Sequence, residues 1–363
     1  MLEAAKVIDS KMRSNAQKQV YLPLVFKVTG RLLVCAFLWS CSAQSSNDPG
    51  KNSLTKLEVC LSSDNVTHLG VLYASDTGIF EKYGLQVTVT PMNSGSAAVA
   101  ALLSGSAQIC QISGAAVVHA AVAGADIAII GGLVNKNLYT LMVPEQIRSA
   151  ADLKGKAVAV SAAGSSSETS MVMALSLLGL APYKDVAILS IGGQEERLGA
   201  MEAGYVVGTV FSPPDNILAR HRGYHVLLDL STSDVPYQQT ATITSRAFIQ
   251  NQRSTVLKFM KATVESLSVI KKNKEAGFAT ISRHMQLDPQ KDVATVHETY
   301  EVMITRNFAD SPYPSLPGIQ ALLNEAALTN PAARQFKPEQ LVDLSIVEEL
   351  KNAGFFHGLG GRE

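Results

Sequence analysis

The 363-residue chain has no surplus of charge of either sign, because 31 Lys and Arg offset 31 Asp and Glu. No stretch gathers Lys and Arg beyond a single helix face, so the electrostatic footprint of a nucleic-acid binder is missing and no nucleic acid is expected as a partner. Cysteine is scarce. The four cysteines form no CxxC pair and do not cluster with histidine, which argues against a zinc site and a dense disulfide framework. No metal and no cofactor is expected. HExxH, a nucleophile elbow, a Ser-His-Asp ordering, a Walker loop and a dinucleotide fingerprint are all missing, which weakens the case for an enzyme.

What is there begins with apolar content. At 47% hydrophobic residues the chain can bury a large core, and its length suggests two packing units. Near the N-terminus a basic region with Arg13, Lys18, Lys27 and Arg31 precedes a short apolar run, 32–39, and then Ser40-Cys41. That is the order of a secretory signal, predicted over 1–41. The run is too short to span a bilayer, which takes roughly 20 apolar residues. Leu38-Trp39-Ser40-Cys41 resembles the lipobox of bacterial lipoproteins, although Trp39 is unusual at its position. The resemblance implies a lipid on Cys41 and a periplasmic or cell-surface location, anchored to a bacterial membrane; an ordinary cleaved signal is the alternative. Residues before Met12 read as neither signal nor domain, consistent with an over-extended start. The Ser/Asn/Gly/Pro-rich segment 42–55 reads as a flexible tether.

From about Lys56, short apolar runs alternate with helical patterns, the mark of βαβ units and mainly parallel sheets. Strands are predicted at 57–61, 86–90, 107–112, 127–133, 157–160, 186–189, 207–211 and 240–244, with helices at 97–104, 167–178, 195–203 and 254–272 among them. One arrangement recurs. Gly84-Leu85, a strand, Ser94-Gly95, a helix ending at Gly105 and a strand ending at Ser113 are matched by Gly179-Leu180, a strand, Gly192-Gly193, a helix ending at Gly204 and a strand ending at Ser212. Two similar α/β lobes are implied.

The segment Asp76-Thr77-Gly78-Ile79-Phe80-Glu81-Lys82-Tyr83-Gly84-Leu85-Gln86-Val87 resembles an early signature of the nitrate/sulfonate/taurine-type substrate-binding proteins of ABC importers. Further matches follow in order: 98–105, 149–160 and Glu202-Ala203-Gly204. The resemblance spans roughly 57–274. It implies a type II periplasmic-binding-protein fold, α/β and two-lobed, with a discontinuous first lobe (56–138 and 240–363) and a second lobe (139–239). Hinge crossings would lie near 135–141 and 234–240. It further implies capture of a small molecule by hinge closure, docking onto a membrane permease, a monomer, and no chemistry. In the family's sheet order the strands holding Cys60 and Cys110 are neighbours. Buried free thiols are expected there, with a disulfide as the alternative, because adjacent parallel strands rarely bring sulfurs into disulfide geometry.

Ligands of α/β sheets collect beyond the carboxyl ends of strands, where helix N-termini offer unpaired N–H groups. The candidate ligand residues therefore sit on six loops. They are Ser62, Asp64, Asn65 and His68 after the first strand, Ser94, Gly95 and Ser96 after the second, and Ser113 and Gly114 after the third. In the second lobe they are Ser161, Gly164, Ser165, Ser166 and Ser167, then Gly193, then Ser212 and Asp215. Helix capping alone explains many of the serines equally well. Tyr73, Tyr139, Phe211 and Tyr237 could add an aromatic wall. Asp64, Glu168, Glu195, Glu196 and Asp215 make these loops acidic, with His68 and Arg197 as the few cations, so a neutral or amine-bearing ligand is as well served as an oxyanion. Glu195 and Glu196 read as first-turn residues pointing into water. An alternative reading is a same-fold biosynthetic enzyme related to thiamine-pyrimidine synthases, whose cysteine-rich motif this chain lacks. Another is an exported ligand sensor.

Overall fold

The computed structural model describes residues 54–359; the expected signal, Cys41 and most of the tether lie outside the described residues. The first sheet is built from β1 (Thr55–Leu61), β2 (Leu85–Pro91), β3 (Ile109–Ile112) and β4 (Ile127–Val134). The chain then forms a second sheet from β5 (Thr140–Val143), β6 (Ala157–Val160), β7 (Ala187–Ser190), β8 (Thr209–Phe211) and β9 (His225–Asp229) before β10 (Thr240–Ser245) returns to the first. The strand orders are β2-β1-β3-β10-β4 and β7-β6-β8-β5-β9. They are the same order once β1 is matched with β6, so the internal repeat read from glycines and helix ends has a topological basis.

Both sheets are mixed but mainly parallel, with four strands running one way and a single strand reversed in each. β1 runs parallel to β2 and β3, and β6 parallel to β7 and β8, but β10 is antiparallel to β3 and β4, and β5 to β8 and β9. In each sheet one of the strands adjoining a crossing between the sheets runs against its neighbours. β5 and β9 escape the sequence pattern. The first is a four-residue Thr-Leu-Met-Val stretch and the second, His-Val-Leu-Leu-Asp, is only partly buried.

The helices that matter below are α1 (Leu69–Thr77), α2 (Gly95–Leu103), α3 (Gly114–Val122), α4 (Ser166–Leu177), α5 (Gln194–Glu202), α6 (Asp215–His221), α7 (Arg253–Lys272), α8 (Val293–Tyr300), α9 (Leu316–Ala326) and α10 (Ser345–Asn352). Strand period two decides which cover which face. Leu57, Val59 and Leu61 of β1 join Phe259 and Met260 of α7 and Ile346 of α10, whereas Cys60 of the same strand joins Ala98 of α2, Val117 of α3 and Leu322 of α9. The C-terminal segment thus completes the first sheet's core on both faces. A separate core of Leu141, Val158, Val160, Met171, Leu175 and Val210 belongs to the second sheet. Among the described residues no helix is long and apolar enough to cross a membrane.

Cys60 and Cys110 are bonded to each other rather than free, which corrects the expectation from the sequence. The two residues are direct partners in the parallel β1–β3 register, so their side chains leave the same face, and their Cα atoms are 4.5 Å apart. That is the short end of the range a disulfide spans. The objection from strand geometry fails only for residues directly opposite each other, as these are.

Candidate functional site

The carboxyl ends of β1, β2 and β3 face those of β6, β7 and β8 across a small cavity of about 50 Å³. Four helices of nine residues or more begin at its wall. They enter through Ser94 and Gly95 for α2, Ser113 for α3, Ser166 for α4 and Gly193 with Gln194 for α5. Each sequence supplies its own start. Ser94 Oγ accepts from Ala97 N, Ser113 Oγ from Ala116 N and Ser165 Oγ from Glu168 N, while Gly193 caps α5 with no side chain. A cap takes only one of the four N–H groups that an α-helix leaves unpaired at its start; Gly114 N is taken by Gln238 O and Ser165 N by Ala162 O, and the positive dipole ends of the four helices lie at the cavity wall. Two glycines permit the approach. A Cβ on Gly95 would stand 2.7 Å from Ala116 Cβ, and one on Gly114 2.7 Å from Gln238 Cβ.

Arg197, one turn into α5, is 2% exposed. Its Nε donates to Gly193 O (3.1 Å), and its Nη1 to Thr209 Oγ1 (2.9 Å) and Val210 O (2.6 Å), with the guanidinium over the Phe211 ring. Among the described residues it makes no ion pair. Burial presses its pKa down, opposed by Tyr139, Asp215 and Glu196, but a guanidinium keeps its proton. Nothing in Arg197's immediate sequence signals this role, since Gln-Glu-Glu-Arg reads as a solvated turn. Helical spacing nevertheless sends Glu195 and Glu196 outward and Arg197 inward.

The acids are turned away from the cavity, contrary to the charge argument from sequence. Asp64 is exposed and outside the wall. Glu168 accepts from Gly164 N (2.6 Å) and from Tyr183 Oη (2.7 Å). Asp215 sits behind Gln194, whose Nε2 donates to it, and burial pushes its carboxyl up to about 6, moderated by Arg197.

His68 reaches the wall as a neutral ring. Burial lowers its pKa to about 4, against a hydrogen bond with Gln111. Nδ1 lies 3.3 Å from Gln111 Oε1 and Nε2 3.4 Å from Ser62 Oγ. Gln111 Oε1 can only accept, so this pairing puts the proton on Nδ1 and leaves Nε2 to accept from Ser62. Asn65 Oδ1 caps the following turn at Thr67 N, and its Nδ2 crosses to Ser212 Oγ (3.2 Å) and Pro213 O (3.4 Å). Gln239, 6% exposed just before β10, lines the cavity, and among the described residues its Oε1 has no hydrogen-bond partner.

Of the residues singled out from sequence, Ser62, Asn65, His68, Ser94, Gly95, Ser113, Ser161, Ser166, Gly193 and Ser212 line the cavity. Ser165 and Ser167 stand one layer behind, where Ser167 Oγ receives Ser161 N (2.8 Å). Gly164, Gly114 and Asp215 also support the wall without lining it, and Ser96 is exposed beside Ser94. Of the aromatics only Tyr139 lines it; Phe211 and Tyr237 are core and Tyr73 packs beside α1's own cluster. Sequence reasoning did not select Ser63, Thr67, Gln194, Arg197 or Gln239. A larger cavity of about 230 Å³ lies against α7 and Phe356. Its lysines are engaged, Lys271 with Asp310 and Lys272 with Leu359 O, and none of α1 to α10 begins at its wall.

Two similar mixed-sheet lobes with a polar cavity at their strand ends define a two-lobed binding-protein fold of the periplasmic type. A family model described as "NMT1/THI5 like" matches residues 65–276, and the chain belongs to that family. A Brachyspira hyodysenteriae protein, provisionally named an ABC transporter periplasmic binding protein, is 26% identical over 255 residues, covering 66% of this chain and 72% of the relative. The periplasmic nitrate-binding protein NrtA of Synechocystis superposes with a TM-score of 0.68 at 13% identity, over 83% of this chain and 89% of that one. The alkanesulfonate-binding protein SsuA of Xanthomonas axonopodis does so with 0.64 at 20% identity, over 81% and 97%. The fold is not confined to binders: the desulfurization enzyme DSZB matches with a TM-score of 0.60 at 15% identity, over 82% and 99%. The resemblance read from 57–274 is borne out at the level of family and fold.

Proposed function

We propose that this protein is the extracytoplasmic substrate-binding component of an ABC importer, that it closes on a compact oxyanion between its lobes, and that it does no chemistry. The observation that carries the reading is Arg197, a buried cation that makes no ion pair with a carboxylate among the described residues and lines the cavity at whose wall four helices begin. A buried charge is costly unless something pairs with it, and an anion in the cavity would do so. The hydroxyls of Ser62, Ser94, Ser113, Ser161, Ser166 and Ser212 and the side chains of Asn65 and Gln239 surround that position. The size is also restrictive. One water takes roughly 10–15 Å³ on this measure, so about 50 Å³ admits an anion of nitrate size and excludes an extended sulfonate unless the lobes part.

In this account 56–138 with 240–363 form one lobe and 139–239 the other, and the crossings leading into β5 and β10, near 135–141 and 234–240, act as hinges. Binding shifts the lobes toward the closed arrangement through contacts made only there. The relatives support a permease as partner. Export, and a lipid on Cys41 holding a monomer to the outer face of a membrane, rest on the sequence signal.

A thermal-shift screen of the protein against nitrate, bicarbonate, methanesulfonate, taurine and a neutral pyrimidine tests the reading. A saturable rise in Tm with the small anions, which are recovered unchanged, is expected. A shift only with the pyrimidine, or conversion of the added compound, would overturn it.

A further inference from the structure

Behind the cavity the two lobes meet a second time. α4 of the second lobe lies against α3 of the first, the end of α9 reaches it where Glu325 meets Thr169, and Glu168 stands next to that contact in the first turn of α4. Glu168 belongs to the first turn of α4, two residues beyond Ser166 in the cavity wall, and holds the amide of Gly164. Glu325 comes from the end of α9, and Thr169 Oγ1 is 3.5 Å from its Oε2 across the lobe boundary. The two lobes are in van der Waals range here, since a Cβ on Gly164 would be 3.8 Å from His119 Cβ of α3. Like charges held together in a partly dry contact repel, and one proton between them relieves the repulsion.

We propose that Glu325 and Glu168, presented from opposite lobes, form a proton-operated latch, so that closure takes up a proton and ligand is held more tightly in acid. The inference concerns regulation of the cavity and rests on the binding-protein reading for that consequence alone. Burial, then the charge of Glu168, raises the Glu325 carboxyl to about 7, while the hydroxyl of Thr169 works the other way. The remaining groups around the contact do not supply a compensating cation. His119 is held toward the neutral form by burial, with Glu168 opposing. Tyr183 donates to Glu168 and Tyr237 is buried beside Ser170. Arg334, Lys337 and Glu339, on or next to the short turns that also pack on α9, are exposed.

When the lobes part, Glu325 meets water and its pKa returns toward the usual 4.5. Below that value both arrangements carry the proton. Between about 4.5 and 7 only the closed one does, so closure weakens as pH rises through this window, and above it the penalty is constant.

Small-angle X-ray scattering of the ligand-free full chain from pH 5 to 8.5 tests the latch without any ligand. The radius of gyration of the wild type should increase as pH rises toward 7, Glu325→Gln should remain compact throughout, and Glu168→Gln should reduce the change. A flat wild-type profile, or the same profile in Glu325→Gln with native circular dichroism, overturns the latch. Nitrate titrations then read the coupling. Kd should rise by up to about tenfold per pH unit between pH 5.5 and 6.5 in the wild type, the limit for one proton, and stay constant in Glu325→Gln. If nitrate binds at no pH while the scattering change persists, the choice of ligand fails and the latch stands.

Discussion

His68 shows how a single side chain can be placed by burial. Its ring is 1% exposed and hydrogen-bonded on both nitrogens, so protonation would place an unmatched charge in the wall. Because its folded pKa, about 4, lies below the usual 6.5, its contribution to stability is complete above pH 6.5 and is lost as pH falls toward 4. The loss is on the order of 3 kcal/mol. Glu325 and Asp215, both raised, act in the opposite sense, losing stability as pH rises. Denaturant unfolding of wild type and His68→Gln side by side therefore isolates the histidine: the gap between them should shrink by that amount from pH 7 to 4, and a constant gap would contradict the assignment. At this scale the sequence was half legible. Serines and Asn65 after apolar runs can be placed because caps follow strands locally. Arg197 could not, because its inward direction depends on which face of α5 meets β8, and Gln239 could not, because a buried orphan exists only once the hinge is folded.

At the scale of elements, the β1–β3 pair carries the most testable feature. The Cys60–Cys110 bridge closes a loop of sequence separation 50, and removing such a link typically costs 2–4 kcal/mol. The double variant Cys60→Ala/Cys110→Ala should lose roughly that much in urea unfolding, whereas an unchanged midpoint in oxidising buffer would mean the thiols are not joined. β1 and β3 were readable from their apolar residues, and β10 from its β-branched Thr-Ala-Thr-Ile-Thr stretch. Short β5 and half-exposed β9 were not, because four residues set no period and a partly wet strand shows no clean alternation. The helices predicted at 97–104, 167–178, 195–203 and 254–272 fall within two residues of α2, α4, α5 and α7, for a simple reason in the first three. Ser94, Ser165 and Gly193 mark starts, and Gly105, Gly179 and Gly204, all at positive φ, mark ends.

Across the molecule, and apart from the hinge segments, described residues tie the lobes through different chemistry. Asn65 reaches Ser212 beside the cavity, Arg220 of α6 pairs with Glu298 of α8, and Thr169 meets Glu325 behind it. The ion pair is largely exposed, so it should add little. Asn65 is 3% exposed and joins both lobes to the ligand wall. Asn65→Ala should therefore weaken nitrate binding by roughly tenfold, the worth of about 1–1.5 kcal/mol of hydrogen bonding. Equal affinity in the variant would show that this contact does not favour closure. The internal repeat in the sequence foretold two lobes, but not how they touch, since contacts such as Asn65 with Ser212 join residues 147 positions apart.

The central claim is that an anion completes the buried charge of Arg197. Isothermal titration of nitrate into the wild type and Arg197→Gln at pH 6 addresses it directly. We expect one saturable site in the wild type and a loss of roughly ten- to a hundredfold in the variant, the scale of a hydrogen bond to a charged group. No heat from the wild type, or equal affinity in a folded Arg197→Gln, would contradict the account.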